Sequence, residues 1–161
     1  MILGIPTHTF LLIHVLISLV AMVAGFVVLA GLLTGRLLHG WTPAFLILNV
    51  LTSLTGFPLP PFGFDPPRAV GTLALVLLAI AVAALYAFGL RGVWRMVFIV
   101  TAMAAHYLNV FVGIIQSFAK IPELERLAPT QSEPPFVITQ GVVLLLIATL
   151  TVVAIRRYRP A

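Results

Sequence analysis

The sequence predicts an all-α fold: a transmembrane helical bundle of about five spans with a short interfacial helix near 122–128. Three observations carry that expectation. Nine basic and four acidic residues divide the 161-residue chain into five long runs without Asp, Glu, Lys or Arg, at 1–35, 37–64, 69–90, 96–119 and 134–155. Each run contains an apolar stretch near the roughly 20 residues needed to cross about 30 Å of hydrocarbon. Only 8% of the chain is charged and 61% is hydrophobic, against about 25% charged in soluble domains, and the mean hydropathy is +1.19. The basic residues also segregate by side once five crossings are drawn.

The first span, about 8–34, opens within MILGIPTHTFLLIHV. No basic segment precedes it and no small-residue cleavage site interrupts it, so it reads as a retained span rather than a signal peptide. The second, about 41–58, lies between Trp41-Thr42-Pro43 and the proline-rich FPLPPFGFDPP. Its core of about 17 residues is at the short limit for a crossing and also suits a re-entrant segment. Charge counting favours the crossing: Arg36, Arg91, Arg95, Arg156, Arg157 and Arg159 then share one side with no acid. Arg68, Lys120 and Arg126 share the other with Asp65, Glu123, Glu125 and Glu133.

Spans three to five are expected at about 69–90, 93–118 and 136–156, giving a single integral membrane domain over 1–161. The brief connections at 35–40 and 89–92 force antiparallel neighbours. Small residues permit close helix approach where lipid offers no hydrophobic drive; Ala79, Ala83 and Ala87 on span three and Ser18, Ala21 and Gly25 on span one are spaced for it. In the 119–135 loop, Pro122 suits a first helical turn and Ile121, Leu124 and Ala128 share a face. The positive-inside rule places the arginine-rich side in the cytoplasm. The expected location is the bacterial inner membrane, with the N-terminus periplasmic and the C-terminus cytoplasmic.

Several function classes are excluded. The absence of cysteine removes disulfides, thiolate metal sites and cysteine nucleophiles. The net charge of +5 gathers at span ends with no basic patch interleaved with aromatics, so no nucleic-acid partner is expected. No span carries a carboxylate, and neither GxSxG nor HExxH occurs; the expectation is a non-catalytic protein with no metal site. No internal repeat of the kind that marks many secondary transporters is evident.

What remains is a set of polar residues inside the spans: His14, Asn49, Thr52, Ser53, Thr55, His106, Asn109, Gln116, Thr139 and Gln140. An unpaired amide or imidazole costs several kcal/mol in hydrocarbon, so these groups should face the bundle interior. Asn49, Thr52, Ser53 and Gly56 recur at i, i+3, i+4, i+7, and Ala102, His106, Asn109, Gly113, Gln116 and Lys120 share a face of span four. Alternating span direction brings His14, Thr52 to Gly56, Asn109, Gln116, Thr139 and Gln140 into the outer half. A pocket there, roofed by the 57–67 and 119–135 loops, would draw aromatics from Phe57, Phe62, Phe64, Tyr107, Phe111 and Phe118.

Two readings stay open. In the first, His14, Thr52, Ser53, Asn109, Gln116 and Gln140 bind an amphipathic small molecule such as a quinone or a lipid, their polar groups meeting a carbonyl or headgroup while apolar neighbours take the tail. In the second, the polar residues are structural interhelical bonds and the protein is an accessory subunit of a larger respiratory or photosynthetic membrane complex, with other membrane subunits as partners beside the lipid bilayer. A haem b held by His14 and His106 is a minor alternative; their unequal depths in the spans count against it.

The stretches FLLIHVLISLV, VLTSLTGFPLP and AHYLNVFVGIIQSFAKIPELERLAPTQSEPPF resemble an uncharacterised family of small bacterial polytopic membrane proteins. The resemblance implies a single domain and no activity. It singles out His14, Thr52, Ser53, Thr55, Gly56, Asn109, Gln116, Lys120, Gln131 and Glu133.

Overall fold

In the computed structural model, which describes residues 1–60 and 66–159, six helices form one bundle. They are α1 (Thr7–Leu33), α2 (Trp41–Gly56), α3 (Pro66–Val82, continued by a π-turn at Ala83–Ala87), α4 (Val93–Lys120), α5 (Pro122–Leu127) and α6 (Pro134–Arg157). At 1.5 Å per residue, α1, α3 with its π-turn, α4 and α6 reach about 33–42 Å, enough to cross hydrocarbon about 30 Å thick. All four are apolar enough to do so. The 16 residues of α2 span only about 24 Å. Gly56 closes it because Pro58 brings no N–H to continue the ladder, so α2 stops short of the expected 58.

Two helix starts move outward for one physical reason. Prolines are tolerated in a first helical turn, where N–H groups have no intrahelical partner. Helix α3 therefore starts at Pro66 rather than 69, and α6 starts at Pro134 rather than 136. Helix α1 ends in a Schellman turn: the Arg36 N–H reaches Gly31 O at 2.8 Å and the Gly35 N–H reaches Leu32 O at 3.1 Å, with Gly35 at φ +76°. The interfacial helix appears as α5 with Pro122 in its first turn. None of its six residues is buried in the protein; of the expected face only Ala128, just past its end, is enclosed.

Helix α2 packs between α1 and α3, α4 packs on α3, and α6 closes against α1 and α4. The arginines gather at one end. There Arg95 donates to Ile155 O at 2.7 Å and to Tyr158 O, and Arg157 donates to Leu33 O at 3.2 Å, satisfying carbonyls that the ends of α6 and α1 leave free. The opposite end, which carries α5, holds Arg68, Lys120, Glu123, Glu125, Arg126 and Glu133.

The two halves differ in packing. Val28 and Leu32 of α1, Phe45 of α2, Leu78 and Ala81 of α3, Phe98, Ile99 and Met103 of α4, and Ala154 of α6 form one buried apolar cluster. Every one of them lies toward the arginine end. The buried stripe of α3 is Ala74, Leu78, Ala81 and Ala84; Ala79 and Ala87 of the expected stripe are exposed and Ala83 is only partly covered. On a helix apolar all round, small-residue spacing alone does not select the packed face. The outer faces of α1 and α6 expose Leu16, Val20, Val23, Leu145 and Leu146 among many others, a surface that requires lipid around it.

Candidate functional site

The half bearing α5 holds an open cavity of about 860 Å³ among α1, α2, α3 and α4. Its polar lining is Thr7, His14 and Ser18 of α1, Asn49, Thr52 and Ser53 of α2, and Asn109, Gln116, Ser117 and Lys120 of α4, with Arg68 from the start of α3. Leu11, Val15, Leu19, Met22, Val70, Ala74, Val112 and Ile114 supply the apolar walls.

Several of these polar groups are held by their own helix or by a neighbour. The Ser18 hydroxyl donates to His14 O at 2.8 Å, within α1. The Thr55 hydroxyl donates to Leu51 O at 2.7 Å and lies 2.8 Å from His14 Nδ1. A hydroxyl has one proton, so with that proton on Leu51 O it accepts from Nδ1–H, leaving the lone pair of His14 on Nε2. At the cavity floor the Asn109 amide donates to both Ser18 O and Asn49 Oδ1, each at 3.3 Å, while Asn49 donates to Phe45 O at 2.9 Å. One side chain thereby links α4 to α1 and α2. Gln116 and Ser53 form no hydrogen bond among the described residues, and the enclosed Thr52 hydroxyl has no partner either. The cavity therefore contains both structural bonds and unused polar groups.

Five of the six expected site residues, His14, Thr52, Ser53, Asn109 and Gln116, line this one cavity. Gln140 does not. It sits in the α4–α6 contact, donating to Phe111 O at 3.2 Å with its own Oε1 unpartnered. The fourth wall is α3, whose cavity face carries no polar residue after Arg68. Of the expected aromatics, Phe57 lines the cavity; Tyr107 and Phe111 pair with each other at 5.9 Å, and Phe118 packs edge-on against Phe136 at 5.4 Å. Phe62, Phe64 and Asp65 lie outside the described residues.

His106 is also elsewhere, fully buried toward the apolar cluster. Its ring lies edge-on to Phe26 at 4.6 Å and to Phe45 at 5.9 Å, and neither nitrogen has a partner among the described residues. A Cβ at Gly25 would stand 2.1 Å from His106 Nδ1, so only glycine fits opposite the ring. Gly25 lies eleven residues along α1 from His14, about 16 Å of rise. One haem cannot take both imidazoles across that separation, because axial ligands of a single iron share nearly one depth. Among the described residues no three His, Asp or Glu side chains come together as a metal site.

The fold and site thus define an α-helical membrane protein that is close-packed at its arginine end and hollow at the other. No protein-family model, curated protein or solved structure matches the chain.

Proposed function

We propose that this protein binds an amphipathic small molecule, of the quinone or lipid type, in the cavity between α1, α2, α3 and α4. The observation that carries the reading is the pairing of unused polar groups with apolar walls in one cavity. Ligand pockets have volumes of roughly 300–1,000 Å³, mostly apolar with a few convergent polar groups, and the 860 Å³ cavity has that character. Gln116, Ser53 and Thr52 donate to a carbonyl or headgroup oxygen, the Nε2 lone pair of His14 accepts from a headgroup hydroxyl, and Leu11, Val15, Leu19 and Met22 take the tail. The arginine end faces the cytoplasm of a bacterial inner membrane in this reading, and the cavity lies in the periplasmic half.

Two substitutions test it. Gln116→Leu removes a polar group that no protein partner uses, so affinity for bound amphiphiles should fall about tenfold with the Tm unchanged. Asn109→Leu breaks the link among three helices, so the Tm should fall whatever happens to binding. The readout is native mass spectrometry of protein in maltoside micelles with decylubiquinone and phospholipid added. The proposal is sunk if neither amphiphile binds, or if Gln116→Leu leaves the affinity of both unchanged.

A further inference from the structure

Two chains of hydrogen bonds at the cavity run in one fixed direction, and each ends on an atom that can only accept. The first starts on α2, where the Thr55 oxygen stands 2.7 Å from Leu51 O and 2.8 Å from His14 Nδ1. Were its proton given to Nδ1, the Thr55 and Leu51 oxygens would face each other at 2.7 Å with no proton between them. Both contacts are satisfied when Thr55 donates to Leu51 O and Nδ1–H donates to Thr55, which leaves Nε2 of the neutral imidazole bare. The second chain also starts from a backbone carbonyl of α2. Asn49 donates to Phe45 O at 2.9 Å, and this orients its Oδ1 to accept from Asn109. The Asn109 Nδ2 donates to that oxygen and to Ser18 O, each at 3.3 Å, so both its N–H groups are engaged. Asn109 Oδ1 is left without a partner among the described residues, as is His14 Nε2. Both residues line the cavity, and neither atom is sealed within the protein. Ser18 lies one helical turn along α1 from His14, which sets the two acceptors about 6 Å apart in depth.

From this arrangement we propose that the cavity selects amphiphiles whose headgroup carries hydroxyl groups, a hydroquinone or a glyceride, over those that offer only acceptor oxygens. One ligand O–H donates to His14 Nε2 and a second donates to Asn109 Oδ1. A ketone or ester oxygen in either place sets lone pair against lone pair. Ser53 and Gln116 do not impose this sense, because a hydroxyl and an amide each both donate and accept; they serve the remaining headgroup oxygens. Thr55 is a positioning residue. It is outside the cavity lining and acts by fixing which nitrogen of His14 carries the proton. The proposal rests on the cavity being a ligand site, as proposed above, and adds the chemical class of the headgroup.

The test uses full-length protein in dodecyl maltoside and two pairs of probes, decylubiquinol against decylubiquinone and monoolein against propyl oleate. Wild-type protein should bind the hydroxylated member of at least one pair about tenfold more tightly. Thr55→Val frees the tautomer and should cut that ratio severalfold, while Thr55→Ser should keep it. Each ratio is read against the wild-type one, so unequal partition of the probes into micelles cancels. Nitrogen NMR of histidine-labelled protein gives a readout that a merely structural Thr55 would not move. The His14 signals, assigned by their loss in His14→Gln, should show a protonated Nδ1 and a bare Nε2 in the wild type and a mixture of tautomers in Thr55→Val. Discrimination within the ubiquinol pair alone identifies a hydroquinone, and within the monoolein pair alone a glyceride; either supports the proposal. Equal affinities within both pairs, with binding still weakened by Gln116→Leu, overturn the selection for hydroxyls but leave the ligand site standing. A wild-type His14 protonated on Nε2, or a ratio unmoved by Thr55→Val, overturns the inference in the same way. Binding of none of the probes overturns both.

Discussion

His106 and Gly25 show how one residue can depend on the absence of another's side chain. The imidazole occupies the space a Cβ on residue 25 would need, with 2.1 Å between that Cβ and Nδ1. Gly25→Ala must therefore push a fully buried ring into Phe26 or Phe45. Overpacking of this kind costs about 1–3 kcal/mol, so the variant should show a clearly lowered Tm in micelles. Gly25→Ala with His106→Ala should recover much of that loss, because the clash and the ring disappear together. Additive losses in the double variant would mean that the two residues do not share a space. The contact between them was not legible in the sequence: His106 was read as part of the polar face of span four, and only the tertiary packing turns its ring away from the cavity toward Gly25.

At the level of elements, the α5–α6 connection is built around a single carboxylate. Glu133 accepts from the Thr130 N–H at 3.2 Å, the Thr130 hydroxyl at 2.8 Å and the Ser132 N–H at 3.1 Å. Desolvation acts to raise its pKa, but the hydrogen bonds from Thr130, from its own backbone and from Ser132 outweigh it, and the group is held below the usual carboxylate range. A depressed folded-state pKa means that the stabilisation is complete above the unfolded value and is lost as pH falls through the folded one. The turn should stay ordered from neutral pH into the ordinary carboxylate range and loosen only below it. Amide exchange at Thr130 and Ser132 should accelerate at that point, and Glu133→Gln should remove the pH dependence. A transition in exchange above the ordinary carboxylate range would contradict this assignment. That Pro122 begins a helix was readable from its position; that α5 buries none of its own residues was not, since burial depends on where α4 leaves the chain.

For the whole molecule, the segregation of charge has a direct consequence. The arginines of the α1–α2 connection, of the start of α4 and of the end of α6 meet at one end, where Arg95 and Arg157 cap the carbonyls of α6 and α1. Reporter fusions after Gly40, Arg91 and Ala161 should report the cytoplasm, and fusions after Pro66 and Ser132 the opposite side. Residues 40 and 66 reporting the same compartment would make α2 a re-entrant helix, which its length of about 24 Å permits.

The sequence by itself determined the class, an apolar helical bundle, along with the approximate position of its helices and the gathering of polar residues toward one end. These follow from local quantities: charge spacing sets helix length, and helical period with alternating direction sets depth. Only the tertiary structure decided which helices enclose the polar residues. Helix α3 was invisible as a cavity wall because its lining after Arg68 is Val70, Gly71 and Ala74, with nothing polar to mark it, while Gln140 marked α6 and turned out to serve the α4–α6 contact. On helices apolar around their whole circumference the sequence holds no preference for one neighbour over another. That choice is made by how side-chain shapes fit when all the helices pack together.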